Sequence, residues 1–171
     1  FDTTQTGLNS LSLAPKIVST GGTPNLKNLG LLDGATEHRS GTSIFNDRMM
    51  MAAGVANIED CALTIFTTVV SRAEETRGIL DAGSKTLTSD TGGLDGFGLV
   101  LEHPNARIHK MAEEHGFIDI SNCESRPSIG DILRVIPNHV CVVVNMFDRL
   151  IAVRGNHIVD VIPVDARGRL V

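Results

Sequence analysis

The sequence predicts a mixed α/β first half followed by a mostly β second half. Up to residue 85, short β-branched runs alternate with helical and turn segments. Residues 86–98 (TLTSDTGGLDGFG) differ, because Thr, Ser, Asp and Gly dominate them. Beyond them, short apolar runs alternate with turns. We therefore expect two domains, residues 1–85 and residues 86–171, with a long functional loop at the start of the second.

Composition is that of an ordinary globular protein and excludes several classes. The chain has 171 residues, of which 42% are hydrophobic and 20% charged, too apolar for a disordered chain and too interrupted for a membrane span. A net charge of −5 without a basic run argues against nucleic acid or an anionic membrane as partner. Three cysteines, an odd number, fit a reduced chain better than a disulfide framework. A cytoplasmic location is the expectation.

The elements of the first half follow from short local signals. Residues 16–19 (KIVS) predict a strand, and residues 42–45 predict a second one. Asp47 can cap a helix over residues 48–55. Residues 61–71 (CALTIFTTVVS) are β-branched and apolar on both faces, which suits a buried strand.

A polar helical turn over residues 72–77 and a strand over residues 78–81 complete the first half. In the second half, Gly155-Asn156 between apolar runs is a two-residue hairpin signal. Residues 105–116 are ambiguous, because propensity favours a helix and the flanking strands favour a strand. The predicted strands there cover residues 98–102, 116–120, 131–136, 139–146, 150–154 and 157–164.

A turn after the first strand is a candidate anion site. Residues 20–25 begin with Thr20, Gly21, Gly22 and Thr23, and their backbone N–H groups can converge on an anion. The motif is neither the P-loop nor the dinucleotide fingerprint. A phosphate site and a plain turn are therefore both open.

The sharpest candidate for chemistry is the segment PNHVC, residues 137–141. In the predicted strand, residues two apart point to the same side, so His139 and Cys141 project together and can share one metal ion. Imidazole and thiolate are ligands that zinc accepts. Two ligands do not close a structural site, so water or substrate would complete it. A core cysteine beside a hydrogen-bonded histidine is the alternative interpretation.

Three further residues are candidates for proton transfer or substrate contact. Glu114 and His115 precede Gly116, which lets another group approach them. Asp81 follows a strand, where α/β folds present their active-site loops. Ordinary solvated turns are the alternative interpretation of both segments.

Seven segments together carry a resemblance to a known family. In their order they resemble the D-serine dehydratase and D-threonine aldolase family, pyridoxal-phosphate enzymes of the alanine-racemase-like fold type. The resemblance implies the C-terminal part of a (β/α)₈ barrel, incomplete within residues 1–85, followed by a mostly antiparallel β domain. The segments are STGGTPN (19–25), TEHRSGTSIFND (36–47), CALTIFTTVVSR (61–72), ILDAGSKTLTSD (79–90), EEHG (113–116), GDILRVIPNHVCVVVNMFD (130–148) and VDARG (164–168).

The resemblance also implies a cofactor and a metal. The turn of residues 20–23 resembles the family's loop for the phosphate of pyridoxal 5'-phosphate, and His139 and Cys141 resemble its metal pair. The dehydratase branch typically has His-x-Cys with zinc here, whereas the aldolase branch typically has His-x-Asp with manganese or magnesium. Cys141 therefore favours a dehydratase-like site, in which zinc holds the substrate's β-hydroxyl and helps it leave as water.

The activity implied by the resemblance is that of a lyase on β-hydroxy D-amino acids. Elimination to a 2-oxo acid and ammonia is preferred, and retro-aldol cleavage to glycine and an aldehyde is the alternative. The pyridoxal ring serves as the carbanion sink in either reaction. The resemblance also implies a homodimer. A non-catalytic fragment that serves as a dimerisation module is the alternative from a different class.

Two departures from the family pattern bear on that expectation. Ser43 stands where the family often has Tyr, and the chain has no Tyr. The family's Schiff-base lysine lies near the start of the barrel, in a segment without counterpart here, so no catalytic residue is assigned with certainty. A barrel alone needs about 250 residues. We therefore expect half of an enzyme, inactive by itself and lacking an N-terminal barrel segment, and the start at Phe1 agrees with a cut piece.

Overall fold

The computed structural model describes residues 2–169, and Phe1, Leu170 and Val171 lie outside them. The helices are α1 (Asp2–Ser10), α2 (Arg48–Ala52), α3 (Ser84–Leu87) and α4 (Val140–Val144). Within residues 2–169, no helix has the length and apolar character needed to cross a bilayer. The strands are β1 (Ser19–Gly21), β2 (Glu37–Arg39), β3 (Ile65–Glu74), β4 (Arg77–Leu80), β5 (Leu99–Val100), β6 (Arg107–Met111), β7 (Gly116–Asp119), β8 (Ile132–Ile136), β9 (Arg149–Arg154) and β10 (His157–Pro163).

A six-stranded antiparallel sheet in the order β5-β8-β3-β4-β7-β6 dominates the fold. Strand β3 lies near its centre and presents Ile65, Thr67 and Val69 to the core, whereas the Phe66 side of the strand is open and Phe66 is 64% exposed. The prediction that this strand is buried on both faces is therefore wrong. An antiparallel sheet packs one face on the core and leaves the other toward solvent.

The core lies on one face of this sheet and is almost entirely aliphatic. Burial of these side chains supplies the main favourable term in folding. Helix α4 contributes Val140 and Val143, each 1% exposed, to the same cluster. The fully buried strand residues of this cluster are Val69, Leu80, Val100, Ile108, Ile118 and Val135.

Helix α4 replaces the strand that the sequence predicts over residues 139–146. A run of valines favours a strand by propensity. Here the i, i+3 spacing of Val140 and Val143 puts both side chains in the core, and Asn145 N–H donates to Cys141 O at 3.3 Å. Tertiary packing thus overrides local propensity, a common outcome for short segments.

The first part of the chain contains a parallel pair, β1 and β2, in the register Thr20↔His38. A parallel pair needs a crossover connection, which is here a 3₁₀ helix over Thr23–Leu31. The predicted strand over residues 42–45 is wrong, because Thr42–Ile44 form a 3₁₀ helix in which Thr42 O accepts from Phe45 N–H at 3.1 Å.

Three other local predictions meet different outcomes. The helical turn predicted over residues 72–77 is wrong, because β3 continues to Glu74 and pairs with Arg77 of β4 across a tight hairpin. The ambiguity over residues 105–116 is resolved as strand, since β6 pairs with β7 along its length. The predicted Gly155-Asn156 hairpin is confirmed by the pairing of Arg154 with His157 between β9 and β10.

The six-stranded sheet takes strands from both sides of the division predicted at residues 85/86. Its hydrogen bonding joins β3 and β4, which precede that point, to β7 and β8, which follow it. The division into residues 1–85 and residues 86–171 stays a prediction.

Candidate functional site

The N-terminus of α4 positions the predicted metal pair. His139 is the N-cap residue, with φ −135° and ψ 102°, and Cys141 lies in the first turn. The Cys141 side chain is exposed, and its Sγ lies 3.6 Å from Thr42 Oγ1. His139 Nδ1 lies 2.6 Å from Asp90 Oδ2. The strand geometry expected for this pair is therefore wrong, because a helix start, not a strand, carries both side chains.

Asp47 holds this helix start in place. It is fully buried, and its Oδ1 accepts from Met50 N–H at 3.0 Å, which is the predicted cap of α2. Its Oδ2 accepts from Val140 N–H at 2.9 Å, at the first residue of α4. One carboxylate thus satisfies orphan N–H groups at two helix N-termini.

Asn138 joins the same helix start to the loop of residues 88–98. Its buried amide oxygen accepts from Gly98 N–H at 3.0 Å and from Arg48 Nη1 at 2.7 Å. Its amide nitrogen donates to Gly96 O at 2.9 Å and to Thr91 O at 3.3 Å. Because both ends of a buried amide are satisfied, the loop has a defined position relative to α4.

Asp90 belongs to this loop and faces His139. The hydrogen bond with His139 and another from Gly92 N–H hold the pKa of the Asp90 carboxyl below its ordinary value. The carboxylate is thus ionised at neutral pH and accepts hydrogen bonds only.

The predicted phosphate turn packs against β2 and the 3₁₀ helix of residues 42–44. Gly22 has a φ of +94°, and its N–H donates to Arg39 O at 3.0 Å. Thr20 Oγ1 lies 2.9 Å from His38 Nδ1. The buried Thr23 Oγ1 accepts from Ser43 N–H at 3.1 Å. The turn is therefore rigidly held.

Thr42 and Ser43 connect the two candidate sites. Ser43 contacts Thr23 of the turn, and the neighbouring Thr42 contacts Cys141 of the metal pair. The structure therefore brings the turn of residues 20–23 and the His139–Cys141 pair into one region, although about 120 residues separate them along the chain.

Asp81, Glu114 and His115 lie in a different arrangement. Asp81 accepts from Thr67 Oγ1 and from Thr68 N–H, each at 2.7 Å. Burial raises the pKa of Asp81, but these hydrogen bonds outweigh it and leave the pKa below its ordinary value.

Glu114 forms an ion pair with Lys85 at 2.7 Å, and this contact raises the pKa of the Lys85 ammonium. His115 is exposed. Within residues 2–169, no hydrogen bond joins Asp81, Glu114 or His115 to the metal pair. Their proposed role in proton transfer stays a prediction.

Comparison with known proteins decides the family. Residues 62–153, more than half of the chain, match the family described as the putative serine dehydratase domain. The chain belongs to this family. The resemblance inferred from the ordered motifs is thereby confirmed.

Two relatives differ in length. An uncharacterized protein of Mycobacterium tuberculosis is 37% identical over 131 residues, which are 74% of this chain and 98% of that one. The D-serine dehydratase of Dictyostelium discoideum is 34% identical over 157 residues, which cover 82% of this chain and 40% of that enzyme. The chain thus spans less than half of the Dictyostelium enzyme and nearly all of the mycobacterial protein.

Solved structures of the family confirm the predicted fold. The D-threonine aldolase of Filomicrobium marinum superposes with a TM-score of 0.84 at 25% identity, covering 99% of this chain and 46% of that one. The D-threo-3-hydroxyaspartate dehydratase of Delftia sp. HT23 gives 0.81 at 28% identity, covering 92% and 46%. An alanine-racemase-like protein of Idiomarina loihiensis has the same fold, with a TM-score of 0.78. The chain corresponds to the C-terminal portion of this fold.

Sequence reasoning about this family member missed three residues around the metal pair: Asp90, Asn138 and Thr42. Asn138 and Thr42 lie inside the motifs that carry the resemblance, without a local pattern that reveals their partners. Asp90 lies inside the motif of residues 79–90 and in the predicted functional loop, again without a local pattern that reveals its partner. All three act through contacts between residues at least 40 positions apart.

Proposed function

We propose that this chain is the metal-bearing half of a pyridoxal-phosphate- and zinc-dependent lyase that acts on β-hydroxy D-amino acids. The preferred reaction is dehydratase-like elimination to a 2-oxo acid and ammonia. Among family members, the proteins of Dictyostelium and Delftia are named as dehydratases of D-serine and D-threo-3-hydroxyaspartate. Those names support the substrate class.

The observation that carries the proposal is the short path between the turn and the metal pair. Thr23 contacts Ser43, and Thr42 contacts Cys141, so a cofactor phosphate at the turn and a metal at α4 would occupy neighbouring positions. A lyase needs its electron sink and its Lewis acid to act on the same substrate. Neither the turn of residues 20–23 nor the metal pair by itself would favour a lyase of this kind.

The residues at α4 fit a catalytic zinc ion. An imidazole and an exposed thiol are a donor set that zinc accepts, and an open site keeps a position for water or substrate. Among the described residues no cluster of three or more His, Cys, Asp and Glu side chains is arranged to hold a metal. We propose that water or substrate completes the site.

Family structures include two relevant variants of the Delftia dehydratase. One replaces a histidine by alanine, and the other replaces a cysteine two positions later and is described as metal-free. His139 and Cys141 have the same spacing. This coincidence supports the assignment of His139 and Cys141 as zinc ligands.

The residues around the turn fit part of a cofactor site. His38 Nε2, beside Thr20, is buried and lacks a hydrogen-bond partner within residues 2–169. An unsatisfied buried nitrogen is expected where a bound group or further protein completes the site. We therefore propose that residues 20–23 hold the phosphate of pyridoxal phosphate, a cofactor that supplies an electron sink at the substrate's α-carbon.

The lysine that binds the cofactor must come from elsewhere in the protein. Lys85 pairs with Glu113 and Glu114, and Lys27 Nζ contacts Gly54 O. None of the four lysines forms a hydrogen bond to the metal pair or the turn in the part of the chain that the structure describes. We propose that an N-terminal barrel segment supplies this lysine, in a homodimeric enzyme.

The test uses the complete protein that contains this chain, loaded with pyridoxal phosphate and zinc. D-serine should give pyruvate and ammonia, measured by coupling to lactate dehydrogenase, whereas L-serine should give neither. Cys141→Ala should reduce the rate to background. His109→Ala, which changes an exposed histidine on β6, is the matched control and should leave the rate unchanged.

Other products would change the assignment. Glycine and acetaldehyde from D-threonine, without pyruvate from D-serine, would assign the retro-aldol reaction. A zinc-loaded, cofactor-loaded protein that turns over no β-hydroxy D-amino acid would contradict the proposed function and favour a non-catalytic module.

A further inference from the structure

Asp90 is held in place by contacts on three sides. Its Oδ1 accepts from Gly92 N–H at 2.9 Å, and its own N–H donates to Thr88 Oγ1 at 3.3 Å. The carbonyl groups of Asp90 and Thr91 accept from the buried Asn138 amide at 3.5 and 3.3 Å. The second carboxylate oxygen, Oδ2, is thereby directed to His139 Nδ1 at 2.6 Å.

This contact determines which nitrogen of His139 is free. A carboxylate oxygen can accept a hydrogen bond but has none to donate. Nδ1 must therefore carry the proton that it shares with Asp90, and in the neutral ring Nε2 keeps the lone pair. Nε2 is the nitrogen available to a metal ion.

A surface ion pair would be the simpler explanation, but the geometry argues against it. The side chains are 28% and 40% exposed, for His139 and Asp90 respectively, and exposed pairs of this kind contribute little to stability. Yet the buried side-chain amide of Asn138, the neighbour of His139 in the chain, donates a hydrogen bond to the backbone carbonyl of Asp90. The ligand and its carboxylate are thus positioned by the same residue.

We propose that Asp90 is a positioning residue for metal binding, which orients the His139 ring and makes Nε2 the ligating atom. The inference rests on the proposed role of His139 and Cys141 as metal ligands. Histidine ligands commonly donate their second ring N–H to a carboxylate, which fixes the tautomer and raises the basicity of the ligating nitrogen.

The test measures zinc affinity of the complete protein that contains this chain by competition with a chromophoric chelator. Asp90→Ala should weaken zinc binding about 10- to 100-fold, the usual effect of losing such a partner. Asp95→Ala is the matched control, because Asp95 lies in the same loop but pairs with Arg107 instead of His139. It should bind zinc within about twofold of the unchanged chain, within the scatter of surface substitutions.

A second measurement needs no substitution. Long-range ¹H–¹⁵N spectra of the unchanged chain should show His139 as the Nδ1–H tautomer without metal, and zinc should shift the Nε2 resonance. An Nε2–H tautomer, or a larger zinc-induced shift at Nδ1 than at Nε2, would overturn the proposal even if Asp90→Ala does not fold.

His139→Ala separates this inference from the proposed function. If His139→Ala leaves zinc affinity unchanged, the metal role itself is wrong and the role of Asp90 falls with it. If His139→Ala abolishes zinc binding but Asp90→Ala matches Asp95→Ala, only the role of Asp90 is refuted.

Discussion

Replacing Asp47 by alanine should destabilise the chain more than any ordinary helix-cap substitution. Asp47 is fully buried and accepts one N–H at each of two helix N-termini, from Met50 and from Val140. Loss of the first bond removes a cap worth about 1 kcal/mol. Loss of the second leaves a buried N–H without a partner, at about 1–3 kcal/mol. The expected total is about 2–4 kcal/mol.

Equilibrium urea unfolding of the 171-residue chain measures this difference. The midpoint should fall while the m-value stays constant, which identifies a change in stability rather than in the denatured state. Asp47→Asn keeps one acceptor oxygen and should lie between alanine and the unchanged chain. Amide exchange at Val140 should accelerate, because its N–H loses its only carboxylate partner.

Asp60→Ala is the matched control. Asp60 also accepts a backbone N–H, from Asn57 at 2.8 Å, but it is exposed and serves a single 3₁₀ turn. Its loss should cost about 1 kcal/mol or less. Equal destabilisation by Asp47→Ala and Asp60→Ala would refute the claim that one buried carboxylate joins two helices.

Two further predictions concern pH and thiol reactivity. Hydrogen bonds hold the pKa of Asp81 below its unfolded value, so the unfolded chain binds more protons in acid, and the stabilisation present at neutral pH is lost as pH falls through the folded pKa. We compare the urea midpoint at pH 6 and pH 3, a range set by the ordinary aspartate pKa of about 3.9. The midpoint should fall less over this range in Asp81→Asn than in Asp33→Asn. An equal fall in the two variants would contradict this. Burial, with Asp47, Asp60 and Glu59 nearby, raises the pKa of Cys61 to about 11. Iodoacetamide at neutral pH should therefore modify the exposed Cys141 before Cys61, as measured by peptide mass spectrometry. Faster modification of Cys61 would show that its burial is wrong.

Much of the strand content could be predicted from the sequence, because it depends on local patterns. The β-branched run of Ile65–Val69 and the Gly155-Asn156 turn predict a strand and a hairpin through neighbouring residues alone. The cap at Asp47 is equally local, since its first partner lies three residues away. These predictions are confirmed because no distant contact competes with them.

Residues 139–146 show where local reasoning fails. Their valines favour a strand by propensity, yet Asp47, more than 90 positions earlier, caps Val140 and the core takes up Val140 and Val143. A short segment follows whichever arrangement buries its apolar side chains and satisfies its N–H groups. The candidate zinc ligands were found from their types and spacing, although the strand geometry first used to pair them was wrong.

The sequence by itself determined the family, through motifs in a defined order, and the chemical types of the site residues: an imidazole, a thiol and a glycine-rich turn. Only the tertiary structure decided which of these lie together. Thr42 brings the turn to Cys141, and Asn138 brings Asp90 to His139. The physical reason is that these hydrogen bonds join segments that lie far apart in the chain and meet only in the folded sheet and its core, so no local pattern records them.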